Sequence, residues 1–359
     1  MYMIKVLHSA DWHLDAPMSG HSPEQAQRLR KELSKIPEKL AELCAKEQCD
    51  LVLLSGDLFD GVPSGETVRL VQKHLGQMGV PVFISPGNHD HLGPSSPYSR
   101  TDWPENVHIF TQPSMQGVSL PELDCQVYGA GYTAMDCGPL LKGFHAGGPE
   151  KWHLGVLHGE VDAPGSEYCP ITRDQLRACG LDYLALGHIH KGSSLRAGQT
   201  LCAWPGCPMG RGFDELGVKG ALIVTLDQEA AVTFRPLDTP RFYDEDTDAG
   251  DDPLEAVAGL LPQLPTQDHY RITLTGYSAG VDTAQLQKAF PNVPNLTVRD
   301  ETRPEPDLWS SVGEDSLEGV LFKLLQQGSQ SESQVLSKKA QLAARICRQL
   351  LDGQEVKLP

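Results

Sequence analysis

Five times within the first 190 residues, a short apolar run gives way to a small cluster of aspartate, asparagine and histidine. The clusters are Asp11-x-His13, Gly56-Asp57-x-x-Asp60, Gly87-Asn88-His89-Asp90, His158-Gly159 and Gly187-His188-x-His190. The runs before them, at residues 3–7, 51–54, 81–85, 154–157 and 183–186, read as strands. Leu51-Val52-Leu53-Leu54 has no polar position, as a strand covered on both faces requires. Amphipathic stretches separate the runs. Ser22, Pro23 and Gln25 supply a cap, a first-turn proline and a capping box, predicting a helix to about residue 46 with a bend near Pro37. A second helix is predicted over residues 65–78, and further strands over 107–110 and 126–128. Strands alternating with helices predict an α/β layered fold. In open α/β sheets the loops at the carboxyl ends of strands gather on one edge. The five clusters are therefore expected to meet.

From residue 194 to 236 the pattern becomes hairpin-like, with runs at 221–226 and 231–234. Pro240 and the acidic residues Asp244, Glu245, Asp246, Asp248, Asp251 and Asp252 predict a linker or solvated loop over residues 238–253. Strand-like runs at 270–275 and 295–299 flank a helix at 282–290, a small α+β unit. Leu317, Val320, Leu321, Leu324 and Leu325 then recur at helical spacing, and a second helix at 332–351 closes on Gly353. Three segments are expected: 1–237, 241–305 as an α+β domain, and 306–359 as a C-terminal helical segment.

The residue types in the clusters suit a two-metal hydrolytic centre. Asp and His two positions apart at a strand end point the same way, so Asp11 with His13, and His188 with His190, can each grip one ion. A central carboxylate, Asp57, can bridge two cations, and Asn88 adds a neutral oxygen. With His158 the set reaches seven donors. Mixed oxygen and nitrogen ligation without thiolate suits Mn²⁺ or Fe²⁺, with Zn²⁺ and Mg²⁺ also admissible. Such a pair of ions activates a water and clamps phosphoryl oxygens during in-line attack. His89 is read as the catalytic histidine, with Asp90 orienting its imidazole, and Asp60 as holding a ligand or loop. Trp12 is read as core packing. A lone Asp-x-His or His-x-His is commonly incidental, and Gly-Asn-His-Asp can be an ordinary turn. All five clusters in order, each after a strand, argue against coincidence.

Composition narrows the function. Lys and Arg number 30 against 47 Asp and Glu, a formal charge of −17, which excludes bulk attraction as a means of binding polyanions. The nine cysteines include no C-x-x-C pair and read as indifferent thiols in a reducing cytoplasm. Lys5 and His8 interrupt the first apolar run, so no signal peptide is expected, and no apolar stretch reaches the ~20 residues of a membrane span.

At these residues the sequence resembles the calcineurin-like metallophosphoesterases, whose pattern is D-x-H, G-D-x-x-D, G-N-H-[DE], a lone His and G-H-x-H. The resemblance covers roughly residues 3–236. His8-Ser9-Ala10-Asp11-Trp12-His13-Leu14 and Gly56-Asp57-Leu58-Phe59-Asp60 look like the SbcD branch of DNA repair exonucleases. Leu14-Asp15-Ala16-Pro17 and Gly210-Arg211-Gly212-Phe213-Asp214-Glu215 look more like YhaO-type relatives. Protein Ser/Thr phosphatases carry an arginine after G-D-x-x-D and a glutamate after G-N-H; Gly61 and Asp90 stand here instead. The resemblance implies a layered metallophosphoesterase β-sandwich flanked by helices. It implies one ion on Asp11, His13, Asp57 and His190, another on Asp57, Asn88, His158 and His188, and His89 as the catalytic histidine. It further implies a two-metal-dependent DNA phosphodiesterase, an exonuclease subunit whose capping domain shapes the DNA path. The C-terminal helices would then meet an SbcC-like ATPase, with a homodimer left open. Arg211, and less directly Arg100, Lys191 and Arg196, are candidates for substrate phosphates. A nucleotide or small-molecule phosphodiesterase of the same fold, and a non-catalytic scaffold, are the alternatives.

Overall fold

The computed structural model describes residues 3–278, 280–304 and 307–353 of the chain. It divides into two compact units, the first running to Asp244 and including Thr266–Tyr270, the second comprising Glu245–Pro265 and the chain from Arg271 onward.

In the first unit the elements follow as β1 (Ile4–Ser9), α1 (Pro23–Leu33), α2 (Ile36–Glu47), β2 (Leu51–Leu54), α3 (Gly65–Gln77), β3 (Val82–Ile84), α4 (Pro97–Arg100) and β4 (Val107–Ile109). Next come β5 (Gln116–Leu120), β6 (Cys125–Gly129), β7 (Trp152–His158), β8 (Glu160–Val161), β9 (Pro170–Ile171), α5 (Arg173–Ala178) and β10 (Tyr183–Gly187). β11 (Ser193–Ala197), β12 (Thr200–Trp204), β13 (Gly220–Leu226) and β14 (Ala230–Pro236) complete it. Two six-stranded sheets form, in the orders β14-β13-β1-β2-β3-β4 and β11-β12-β10-β7-β6-β5.

Strand alternation sets the layers. Ile4, Val6, Leu51 and Leu53 of one sheet pack with Val127, Leu154, Val156 and Ala185 of the other, making the core of a sandwich. The opposite faces of β1 to β3, through Leu7, Val52, Leu54 and Ile84, pack on Leu29, Leu40, Val71 and Leu75 of α1 to α3. The outer face of the second sheet packs on Leu176 of α5 and on the loop around Leu141. The fold is thus a β-sandwich with helices outside it, and the continuous apolar run of β2 is covered twice.

The long helix expected from Ser22 is two helices. Pro37 near the start of α2 has no amide to donate, and its ring conflicts with the carbonyl four residues back, at Leu33, where α1 ends. The Ser22–Gln25 capping box is present.

The second unit contains α6 (Pro253–Ala258), α7 (Thr283–Ala289), β17 (Asn295–Asp300), α8 (Leu317–Ser329) and α9 (Gln334–Leu351). β15 (Phe242–Asp248) and β16 (His269–Thr275), which start among residues of the first unit, join β17 in a three-stranded sheet in the order β15-β16-β17. β15 corrects the expected linker. Its acidic residues lie on an edge strand, where carboxylates stay hydrated while Phe242 is buried. After Phe242 neither face of the strand is buried, so consecutive acidic side chains stay in water on both sides. α8 and α9 pack as a hairpin around Phe322 and Ala344, both fully buried, with the Arg348 guanidinium 4.2 Å above the Phe322 ring. The apolar stripe read from the sequence is not the packed face: Leu317 is 91% exposed and Leu324 62%.

Candidate metal centre

β1, β2 and β3 run parallel, as do β7 and β10. The loops that follow their carboxyl ends therefore emerge on one edge, and both sheets feed it. The loops after β1 and β2 are knit by backbone hydrogen bonds, Asp11 N–H to Gly56 C=O and His13 N–H to Asp57 C=O, both 3.0 Å. His188 N–H, from the other sheet, donates to Asp11 Oδ1 at 2.9 Å. Asp11, His13, Asp57 and His188 all hold φ between 48° and 90°. Four non-glycine residues in left-handed conformation are costly and persist only where neighbouring structure over-determines them. Here the cross-loop bonds do so.

The glycines of the motifs have a packing reason. A Cβ on Gly87 would lie 2.3 Å from Asp57 Oδ1, and one on Gly187 would lie 2.0 Å from Ser55 C=O and 2.8 Å from His158 Nδ1. The loops close on the donor set too tightly for any side chain.

All seven candidate donors come together. His13 Nε2 and His190 Nε2 are 3.1 Å apart. Asn88 Oδ1 lies 2.9 Å from His158 Nε2 and 3.3 Å from His188 Nδ1. Asp57 Oδ2 sits between the groups, 3.3 Å from His158 Nε2 and 3.7 Å from His13 Nε2. Donor atoms of Asp11, His13 and His190, and of Asp11, Asp57 and His158, fall within 4.8 Å of one another. Asp11, His13, Asp57, Asn88 and His158 are buried. Among the described residues Asp11 Oδ2 has no hydrogen-bond partner although it is buried. An unpaired buried carboxylate oxygen among imidazole nitrogens is what a cation site needs. The residues fit divalent ions.

The electrostatics agree. Burial pushes the Asp11 carboxyl up to about 6, against the pull of His158 and His190. Burial acts likewise on Asp57, but the imidazoles of His158 and His13 hold it well below the usual carboxylate range. Burial would lower His158, yet the Asp57 and Asp11 carboxylates carry it up to about 9, while burial takes His13 down to about 4. Adjacent imidazoles with opposite preferences mark a site tuned by its charges.

His89 lies at the rim, a ring nitrogen within 4.8 Å of donor atoms of His13 and Asp57, its side chain 42% exposed and its ring edge-on to His13 at 4.7 Å. Its Nδ1 pairs with Asp60 Oδ1 at 2.8 Å, and that hydrogen bond raises its pKa. Asp60 also reaches His13 Nδ1 at 3.4 Å. This corrects the role assigned to Asp90. Asp90 is buried and accepts from the amides of Leu58 at 2.7 Å and Gly87 at 2.8 Å, and from Tyr98 Oη at 2.6 Å. It shapes the loops, because a side chain one residue after His89 points inward where His89 points out.

Two glutamates escaped the sequence reading. Glu160 Oε1 is 3.0 Å from His188 Nε2, and Tyr168 lies over the same ring with centroids 4.6 Å apart. Glu215 Oε1 is 2.7 Å from His190 Nδ1. Carboxylates on the second nitrogen of a ligand histidine fix its tautomer and orientation. Glu215 ends the Gly210–Glu215 stretch, and Glu160 follows His158 by two; that proximity was the available signal. Arg211 Nη2 donates to Glu215 Oε1 at 2.8 Å, and Arg211, His89 and Asp60 line one cavity of about 310 Å³. Arg196 lies in β11 and pairs with Glu229 at 3.3 Å, and Arg100 ends α4. His8 bonds Tyr183 Oη and Ser55 Oγ inside the sandwich, and Trp12 is fully buried in the core.

The model of the calcineurin-like phosphoesterase family matches residues 4–192, just over half of the chain, and spans all five clusters. The chain belongs to this family. The metallophosphoesterase YhaO of Bacillus subtilis, described as uncharacterized, is 34% identical over 236 residues, 61% of this chain and 56% of that one. The SbcD component of the nuclease SbcCD of Staphylococcus saprophyticus is 27% identical over 123 residues, covering 33% of this chain and 31% of its own. That of Rhodobacter capsulatus is 34% identical over 110 residues, 29% and 24%. The matches thus span about half the length of YhaO and less of the SbcD proteins. Among solved structures, a dimetal phosphatase from Danio rerio aligns with 65% of this chain and 96% of its own at 13% identity and a TM-score of 0.44. Membership in this phosphoesterase family makes the donor cluster the candidate region for metal binding. Among the described residues, no helix is long and apolar enough to cross a membrane.

Proposed function

We propose that this chain is a two-metal phosphodiesterase that hydrolyses DNA, a cytoplasmic nuclease subunit working with an SbcC-like ATPase. The observation that carries the hydrolytic part is the gathering of seven donors in one site, where buried Asp11 Oδ2 has no partner among the described residues and His89 is exposed beside them. Asp11, His13, Asp57 and His190 would hold one ion, and Asp57, Asn88, His158 and His188 the other. The donor set, oxygen and imidazole without thiolate, suits Mn²⁺ or Fe²⁺ ahead of Zn²⁺ or Mg²⁺, and Mn²⁺ is the ion taken here. The ions, when bound, supply Lewis acidity to a phosphoryl group and a nucleophile at neutral pH.

The chain's own residues do the rest. His89, held through Nδ1 by Asp60, keeps Nε2 free to face substrate, and its raised pKa suits an imidazolium that protonates the leaving oxygen. Asp60 fixes that ring, and Glu215 and Glu160 fix those of His190 and His188. Asp90 locks the Asp57 and Gly87 loops together. Arg211 borders the same cavity as His89 and would meet a phosphate there.

DNA as the substrate rests on similarity to the SbcD components of SbcCD nucleases. The ATPase partner rests on that similarity and on the exposed apolar stripe of α8 and α9. A small phosphodiester is the second reading, favoured by the charge of −17. The test incubates the protein with Mn²⁺ and end-labelled linear DNA, closed circular DNA or bis-p-nitrophenyl phosphate. Degradation of linear DNA supports the nuclease. Cleavage of the small ester alone, unchanged by the ATPase, transfers the assignment to a small-molecule phosphodiesterase. Metal content well below two ions per chain after reconstitution would favour a scaffold.

A further inference from the structure

A second cavity, about 480 Å³, lies within the first unit along β11, β14 and the loop leading to β13, with His190 in its wall. Its volume is that of a small-molecule site. One side is apolar and open: Phe234 is 42% exposed, Leu216 45% and Val218 46%. Lys191 and Lys219 also line it. Among the described residues neither lysine has an ion pair or a side-chain hydrogen bond. Both ammonium groups are therefore available to an anion in the cavity. Arg196 and Arg211 nearby show the alternative, each engaged by a glutamate.

We propose that this cavity binds one nucleotide unit of a single-stranded nucleic-acid end, its base against Phe234 and its phosphates on Lys191 and Lys219. The inference rests on the nuclease reading and extends it to where the strand runs. An exposed aromatic face with neighbouring ammonium groups is the combination that holds unpaired strands without sequence preference. An acidic peptide offers the same charge, but His190, one of the candidate metal ligands, is in the cavity wall, which favours the substrate itself.

The test compares the full Mn²⁺-loaded chain with a Lys191→Gln/Lys219→Gln double variant and with Phe234→Ala. The probe is a short oligothymidylate with hydrolysis-resistant phosphorothioate linkages, titrated at several salt concentrations. Loss of two phosphate contacts should flatten the slope of log affinity against log salt by about 1.4. Phe234→Ala should weaken binding about tenfold with the slope unchanged. Metal content and melting temperature check that the variants are folded. Unaltered affinity and slope in folded variants that still degrade DNA would overturn this site while leaving the nuclease intact. Wild-type protein that neither binds the strand nor degrades DNA would remove both. Displacement by an acidic peptide, with no oligonucleotide binding, would reassign the cavity to protein docking and overturn the proposal.

Discussion

The two units break the ordinary rule of burial in opposite directions. At the edge of the sandwich, Asp11, His13, Asp57, Asn88, Asp90 and His158 are all at most 4% exposed. In the C-terminal hairpin, Leu317, Val320, Leu324, Val335 and Leu350 are all more than half exposed. Burying charge is costly unless it is paired or bound to a cation, and leaving an apolar stripe in water forgoes its transfer free energy. The buried donors suit a bound cation, and under the function proposed above the exposed stripe suits a protein surface. A polar cluster in a core and an apolar cluster on a surface are informative for the same reason.

The comparison can be tested from its strongest side down. Asp57→Ala should remove the carboxylate central to both donor sets, with loss of bound metal and roughly a thousandfold or greater loss of bis-p-nitrophenyl phosphate turnover; full metal content by elemental analysis would break the assignment. His89→Ala should lower turnover by about 10²–10⁴-fold with metal content retained, because its ring sits at the rim. Wild-type turnover in that variant would remove His89 from the chemistry. Glu215→Gln keeps size but weakens the hold on His190, and metal affinity by competition with a chelator should fall about 10–100-fold.

His8 separates burial from metal binding. It is fully buried inside the sandwich, and burial lowers its pKa to about 3. The unfolded chain takes up this proton near pH 6.5 and the folded chain does not, so stability falls as pH drops from about 6.5 towards 3. The loss is at most ~1.4 kcal/mol per pH unit. Urea unfolding of chelator-treated protein should show His8→Gln with a shallower acid dependence; an identical slope would show that His8 is not the group responsible. The smallest effect belongs to the hairpin surface. Leu324→Ser should change stability by no more than about 0.5 kcal/mol, whereas Phe322→Ala should cost about 3–5 kcal/mol by opening the hairpin core. A large destabilisation by Leu324→Ser in thermal melts would mean that the stripe supports the fold instead of awaiting a partner.

Much of the sandwich was legible because its signals are local. Apolar runs of strand length, the Ser22 cap and the Gly353 terminus depend on neighbours a few residues away, and Gly353 indeed has the left-handed φ of a helix-ending glycine. β15 was not legible as a strand, since a row of acidic side chains is compatible with either an edge strand or a loop until its pairing partner is known. The stripe on α8 was visible, but periodicity states only that a face exists and not which way it turns. Asp90 and Asp60 show the same limit at the site. Both lie close to His89, one residue away in sequence and one 29 positions back, and only the loop conformations decide which carboxylate meets the ring.

By itself the sequence determined the chemistry available to this protein: oxygen and imidazole donors, glycines beside them, and strands that would carry them to one edge. These follow from residue type and short-range pattern. The tertiary structure alone decided the pairings, His89 with Asp60, His190 with Glu215, His188 with Glu160, and it left Asp11 Oδ2 unpartnered. Those depend on left-handed backbone angles stabilised by hydrogen bonds between loops of two sheets. A contact between residues 177 positions apart, as between Asp11 and His188, is set by the closure of the sandwich and by no pattern within either loop.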